Sequence, residues 1–411
     1  MNSRDWQITN GNLVLPDGVR ATGGCVISDG RIRRLLDADQ DEDGLLNLNL
    51  HGLAVYPGLV NAHDSLIATY HAFTSDNRPY QNWLAWDNDL KSSPLFRERM
   101  LLDIGQLYEL GAYRNLISGV TSVADHIPHF VRRGAPENLP VHLLEDFGIS
   151  HSICSYSLGW GEGPAEEYRR AEQNDLPYIT HIAEGFDRES RASLRNLEKE
   201  GGLGKHSLLV HGLSLDEGDL DRIAAAGAAI AWCPTANLAL YDKTGPMDAA
   251  DERGINLCLG TDSAMTGSVN LMEEMRAAHK FFEEREKTLA PQKLFEMVTA
   301  NAAWALRLTG RGVIAEKGWA DLLVLRGKYP DDPFQSLLEA DPAQVYLVVK
   351  EGMPVYGDAA LEPVFTELGV VFDRIRVGDS EKIIVKGIRK LLDGVKAASG
   401  TEKEFDFLPV H

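Results

Sequence analysis

Along the first fifty-six residues, apolar positions come in short bursts broken by Gly, Asp and Asn, as in Leu13-Val14-Leu15, Cys25-Val26-Ile27 and Leu53-Ala54-Val55. Such spacing predicts small β-strands joined by turns. From Pro57 the rhythm changes to short β-rich runs alternating with longer stretches of helical period. The strand candidates are 59–62, 120–124, 141–144, 153–157, 178–182, 207–210, 228–233 and 255–260, separated by helical stretches such as 96–116, 165–172, 215–226 and 271–284. Eight strand–helix alternations predict an α/β fold, a (β/α)8 TIM barrel over 57–310. Strand patterns return at 320–325 and 345–350, so the expected partner of the barrel is a small β-sandwich composed of 1–56 and 311–358. Residues 359–411, with a strand-like Lys382-Ile383-Ile384-Val385 and a helix from 386 to about 398, form a C-terminal extension of unknown role. The pairs Gly23-Gly24 and Gly201-Gly202 read as turns, because neither joins a strand to a helix as a phosphate loop would.

Composition narrows the partners. The chain has 411 residues, is 44% hydrophobic and carries a formal charge of -20. That charge repels phosphate backbones and anionic lipid heads, so nucleic acid and membrane surface are poor partners and a small-molecule substrate is the better one, with a homo-oligomer also allowed. The N-terminal stretch to Leu15, with Arg4, Asp5 and Gln7, lacks the basic-then-apolar order of a signal peptide, and no apolar run is long enough to span a bilayer. Cys25, Cys154, Cys233 and Cys258 form no C-x-x-C pair and suit reduced buried thiols, so a cytoplasmic location is expected.

The chemistry gathers at the C-terminal ends of the expected barrel strands, where barrel enzymes place catalytic groups. His63 ends the first strand, His181 and Glu184 the fifth and His211 the sixth, and Asp262 follows the eighth. Three imidazoles and a carboxylate suit a divalent ion of the zinc or iron class, which would make a bound water acidic enough to act as nucleophile. Glu184, three residues past His181, is close enough to shuttle that water's proton. Taken singly, each residue is more often a hydrogen-bonded cap or core group; the constellation sets them apart. Asp125, His126 and His129 form another polar cluster, read as loop structure. His206 begins a strand and belongs to the stability face. Trp83 and Trp86 lie in a long stretch after the first strand, as packing or as a lid.

The run Val55-Tyr56-Pro57-Gly58-Leu59-Val60-Asn61-Ala62-His63-Asp64-Ser65 resembles the first-strand motif of the amidohydrolase superfamily, P-G-(L/F)-(I/V)-(N/D)-x-H-x-H. Tyr178-Ile179-Thr180-His181-Ile182-Ala183-Glu184 is similar to the H-x-A-E of its branch with triazine hydrolases and cytosine and guanine deaminases. Leu209-Val210-His211-Gly212, Trp232 to Asn237, Leu259 to Ser263 and Thr299 to Val324 follow in family order, leaving only the segment after about Asp358 unmatched. The resemblance implies His63, His181 and Asp262 as metal ligands, His211 as a ligand or as the group orienting the attacking water, and Glu184 as proton shuttle. Glu184, His211 and Asp262 are then the catalytic set. It also implies one ion, zinc or iron with manganese as an alternative, because the bridging lysine of the binuclear branch has no counterpart here. The implied reaction is hydrolytic deamination of a small N-heterocycle, with hydrolysis of a cyclic amide or C–Cl bond as alternatives.

Two departures bear on this. Ser65 stands where the motif has its second histidine, and since alternate strand residues share a face, it should still point at the ion. A hydroxyl is a weaker ligand than imidazole, which leaves open a looser mononuclear site, a repurposed site, or a metal-free ligand-binding pseudoenzyme. Trp232 stands where the family often carries histidine. At a barrel mouth it would narrow the pocket and offer a stacking face, so Trp232, Trp86 and Asn237 are the expected substrate contacts.

Overall fold

The structure is a computed structural model that describes residues 5–411, so Arg4 lies outside the described residues. Eight short strands form its centre: β1 (Leu59–Asp64), β2 (Val120–Asp125), β3 (His142–Leu143), β4 (Gly148–Ser152), β5 (Tyr178–Ile182), β6 (Ser207–His211), β7 (Ala229–Trp232) and β8 (Asn256–Leu259). All their pairings are parallel, in two sheets, β1-β2-β3 and β4-β5-β6-β7-β8. The sheets meet where β1 and β8 end: Asp262 N donates to His63 O (3.0 Å) and Ser65 N donates to Asp262 O (2.7 Å). Gly260 permits this approach, since a Cβ there would come within 2.7 Å of both His63 Cβ and His63 O.

Strands covered on both faces read as near-continuous apolar runs, as these do. Alternation then sorts their side chains. Leu208, Val210, Ala229 and Ala231 join Val60, Ala62 and Ile179 in a core among the strands. Leu209, Ile230 and Trp232 pack outward in the larger core shared with the surrounding helices.

Three expectations change. The fourth strand is Gly148–Ser152, not 153–157. Its polar Ser150 and His151 hide it from a hydrophobicity reading, and Gly148 lets it pass close to the carbonyl of Glu167. The helical stretch 96–116 is two helices, Pro94–Arg99 and Ile104–Ile117, because Asp103 forms a capping box with Gln106. Gly23-Gly24 lies inside a strand, Gly18–Ser28, where a Cβ on Gly24 would collide with the carbonyl of Ile8.

Both chain ends enter one ten-stranded mixed sheet. Ala54–Pro57 pairs parallel to Trp6–Leu15 on one side and antiparallel to Leu322–Leu325 on the other. Trp6 Nε1 donates to Gly352 O (2.8 Å), tying the ends together. Two strands of the C-terminal segment, Phe372–Val377 and Ser380–Val385, continue the same sheet beyond Met353–Asp358. None of the described helices is long and apolar enough to cross a membrane.

Candidate metal centre

The parallel register of β5 and β6 sets Ile182 beside His211 and His181 beside Val210, so two imidazoles leave neighbouring strands at nearly one height. The β1–β8 junction brings His63 and Asp262 to the same place. One donor atom from each of His63, His181, His211 and Asp262 lies within 4.8 Å of all the others. The rings are 5.1 Å (His63–His181), 5.3 Å (His181–His211) and 5.9 Å (His63–His211) apart. At this rim the backbone of Ala183, His211 and Asp262 takes positive φ, 51°, 73° and 58°. Left-handed backbone is costly for residues with a Cβ and tends to accompany functional sites.

The electrostatics favour coordination. Burial pushes the His181 and His211 imidazoles down, keeping them neutral with lone pairs free. Each is also anchored through Nδ1: His181 to the carbonyl of His151 (2.7 Å), His211 to Asn237 Oδ1 (2.9 Å). Such anchoring fixes which nitrogen remains available to an ion. His63 Nδ1 is buried with no hydrogen-bond partner, and its Nε2 is 3.4 Å from Asp262 Oδ1. Burial works against ionising Asp262, yet hydrogen bonding to His63 and the nearby His211 and His63 rings outweigh it, and the carboxyl lies below its ordinary range.

Glu184 behaves oppositely. Burial, reinforced by Asp262, pushes its carboxyl up to about 8, against the opposing hydrogen bond from Tyr241. Tyr241 Oη donates to Glu184 Oε1 at 2.8 Å, and the same oxygen is 3.6 Å from His211 Nε2. A carboxyl titrating near neutrality can both take and give a proton.

A cavity of about 340 Å³ opens on this cluster and is lined by Trp86, Ser65 and all five of His63, His181, Glu184, His211 and Asp262. Trp86 sits on the helix Trp83–Ser92. The other two expected substrate contacts are corrected. Trp232 does not line this cavity; it is fully buried on the outward side of β7, edge-on to Phe281, with Nε1 donating to Thr244 (2.6 Å). The period of two puts Ala231 and Cys233 among the strands and Trp232 among the helices. Asn237 is fully buried behind His211, which it positions.

Two wall residues, His151 and Trp160, carried no signal in the sequence, and Trp83, read with Trp86 as packing or a lid, also lines the cavity. His126 was read as loop structure; its ring lies 5.3 Å from His63 and 4.7 Å from His181. Its position directly after β2 was the signal available. Asp125 turns away to accept from Leu66 N (3.0 Å) and Tyr108 (2.9 Å), and His129 lies against the carbonyl of Phe147 (3.1 Å). No sequence signal marked Tyr241, whose role arises only from packing.

Residues 169–355 match the profile of the amidohydrolase family. A 5'-deoxyadenosine deaminase of Methanothermobacter thermautotrophicus is 24% identical over 88% of this chain and 95% of its own length. Among solved structures, a zinc-bound adenosine deaminase from Xanthomonas campestris superposes with a TM-score of 0.73 at 17% identity, covering 97% of this chain and 98% of that one. The zinc complex of the atrazine chlorohydrolase of Arthrobacter aurescens superposes with a TM-score of 0.71 at 17% identity, over 96% and 99%. The chain thus joins an α/β fold of parallel sheets and a group of three histidines and an aspartate able to hold a metal ion to an amidohydrolase-family match over residues 169–355.

Proposed function

We propose that this protein is a metal-dependent aminohydrolase that replaces an exocyclic amino group of a small N-heterocycle with oxygen from water. The observation that carries the reading is the convergence of His63, His181, His211 and Asp262 beside Glu184 at the mouth of one cavity. The naming of the relatives as deaminases supports C–N over C–Cl cleavage. The underlying architecture is read as a closed eight-stranded barrel over 57–310, flanked by a sandwich that folds from the ten-stranded sheet. The unpaired thiols suit the cytoplasm.

A single zinc or iron ion held by the three imidazoles and Asp262, with manganese as an alternative, would supply an acidified water and charge stabilisation at the reacting carbon. The protein's own groups do the rest. Glu184 accepts a proton from the attacking water and returns it to the departing nitrogen, which leaves as ammonia. Tyr241 holds that carboxyl in place. His211, whose Nδ1 is fixed by Asn237, keeps its Nε2 lone pair turned to the ion's place beside Glu184. Trp86 offers a flat apolar face to a planar ring.

One observation favours a second reading. Ser65 on the cavity wall is a poor ligand, as expected of a metal-free binding protein on the same fold. Elemental analysis after zinc, iron or manganese supplementation separates the two, followed by a screen of aminopurines, aminopyrimidines, pterins and aminotriazines for ammonia release. Glu184→Gln is expected to lower turnover on the order of 10²-fold or more with metal content unchanged. A Glu184→Gln enzyme working at the wild-type rate would remove Glu184 from proton transfer.

A further inference from the structure

We propose that His126 performs the ligand duty that Ser65 cannot, so that an imidazole from the residue after β2 joins His63, His181, His211 and Asp262 around the ion. This rests on the metalloenzyme reading above and concerns the same site. The register is the first argument. β1 and β2 pair with Asp64 level with Asp125, and His126 N donates to Asp64 O (3.0 Å). The next residue on each strand is therefore Ser65 on one side and His126 on the other. A side chain lost from the end of β1 is replaced from its immediate neighbour at the same height.

Distance is the second. The His126 ring stands 5.3 Å from His63 and 4.7 Å from His181, close to the 5.1–5.9 Å separating the other candidate ligand rings. Its face is set by Trp160, edge-on at 5.4 Å.

The third is the state of its nitrogens. His126 is 2% exposed, and neither Nδ1 nor Nε2 makes a hydrogen bond of normal geometry, although the backbone of Ser150 and Ile179 lies nearby. Buried polar side-chain atoms are nearly always satisfied, and leaving one bare is costly. A ring kept only for packing would be better replaced by an apolar one. An imidazole on the cavity wall, its ring beside two ligand rings, stands next to the four-residue donor group and joins it by a rotation of its side chain.

The test is a Co²⁺ titration of metal-stripped protein, read by visible absorption and by chelator competition, on wild type, His126→Ala, His126→Asn and the double variant Ser65→His/His126→Ala. Wild type is expected to bind one Co²⁺. Both His126 variants should lose about tenfold or more in affinity and change the ligand-field spectrum. Ser65→His in the His126→Ala background should restore affinity to within roughly threefold, which a folding defect would not allow. Wild-type affinity and spectrum in both single variants would overturn the proposal while leaving the metalloenzyme reading intact. A wild type that takes up no Co²⁺ would overturn both.

Discussion

Adjacent residues of β1 face opposite ways and are treated oppositely. Asp64 is completely buried, and its Oδ2 accepts from Arg114 (2.5 Å), Asn115 (2.8 Å) and Asn61 (3.3 Å), while Oδ1 accepts from Ser65 N (2.9 Å). Arg114 also donates to the carbonyl of Ser268 and to Thr261, so only its Nε lacks a partner. One residue earlier, His63 keeps a bare Nδ1 in equally deep burial, and His126 keeps two bare nitrogens. The fold closes its hydrogen-bond accounts around the charge that supports the rim and leaves lone pairs open on the rim itself. Structure and function here differ by which buried polar groups are satisfied from within.

The comparison breaks most visibly at the closed cluster. Arg114→Met strands the Asp64 carboxylate in the interior and is expected to cost about 3–5 kcal/mol in urea unfolding, with part recovered by adding Asp64→Asn. A loss below about 1 kcal/mol would mean that water reaches the pair.

Glu274 is an intermediate case: buried, hydrogen-bonded to Ser268 and Thr235, but with no ion-pair partner among the described residues. Burial pushes its carboxyl up to about 7 from an ordinary 4.5. Between those pH values the native state holds a proton that the unfolded chain has released, so stability falls as pH rises through the window, by about 3 kcal/mol at most. In metal-stripped protein, Glu274→Gln is expected to flatten this part of the pH profile and to gain stability relative to wild type at pH 8. Parallel pH profiles for the two would place the proton elsewhere.

At the open cluster the effects belong to binding. Asn237→Ala frees the His211 ring and is expected to weaken metal affinity about tenfold with little change in melting temperature. Unchanged affinity would leave Asn237 a packing residue. Ser65→Ala is the smallest: metal retention should shift less than about twofold, because a hydroxyl contributes little beside imidazole. A larger loss would make Ser65 a ligand after all.

Much of this was legible in the chain. Continuous apolar runs announced parallel strands, Pro57-Gly58 marked the entry to β1, and His63, His181, His211 and Asp262 sat at the ends of strands that were read correctly. The errors fell where patterning loses its hold. β4 was missed because its Ser150 and His151 interrupt the apolar signal. The two-residue period, applied to β7, would have turned Trp232 outward, yet its family position suggested the mouth.

By itself, then, the sequence determined the local order of strands and helices, because hydrophobic period and capping residues act over a few neighbours. It also determined which donor types stand at strand ends. Only the tertiary structure decided which of those ends meet. The bonds between β1 and β8, and the level register of Asp64 with Asp125, join residues far apart in the chain. They depend on sheet pairing, and the left-handed turns at His211 and Asp262 then aim side chains that strand alternation no longer controls. For that reason His126 read as a loop residue in the sequence and stands among the site's imidazoles in the fold.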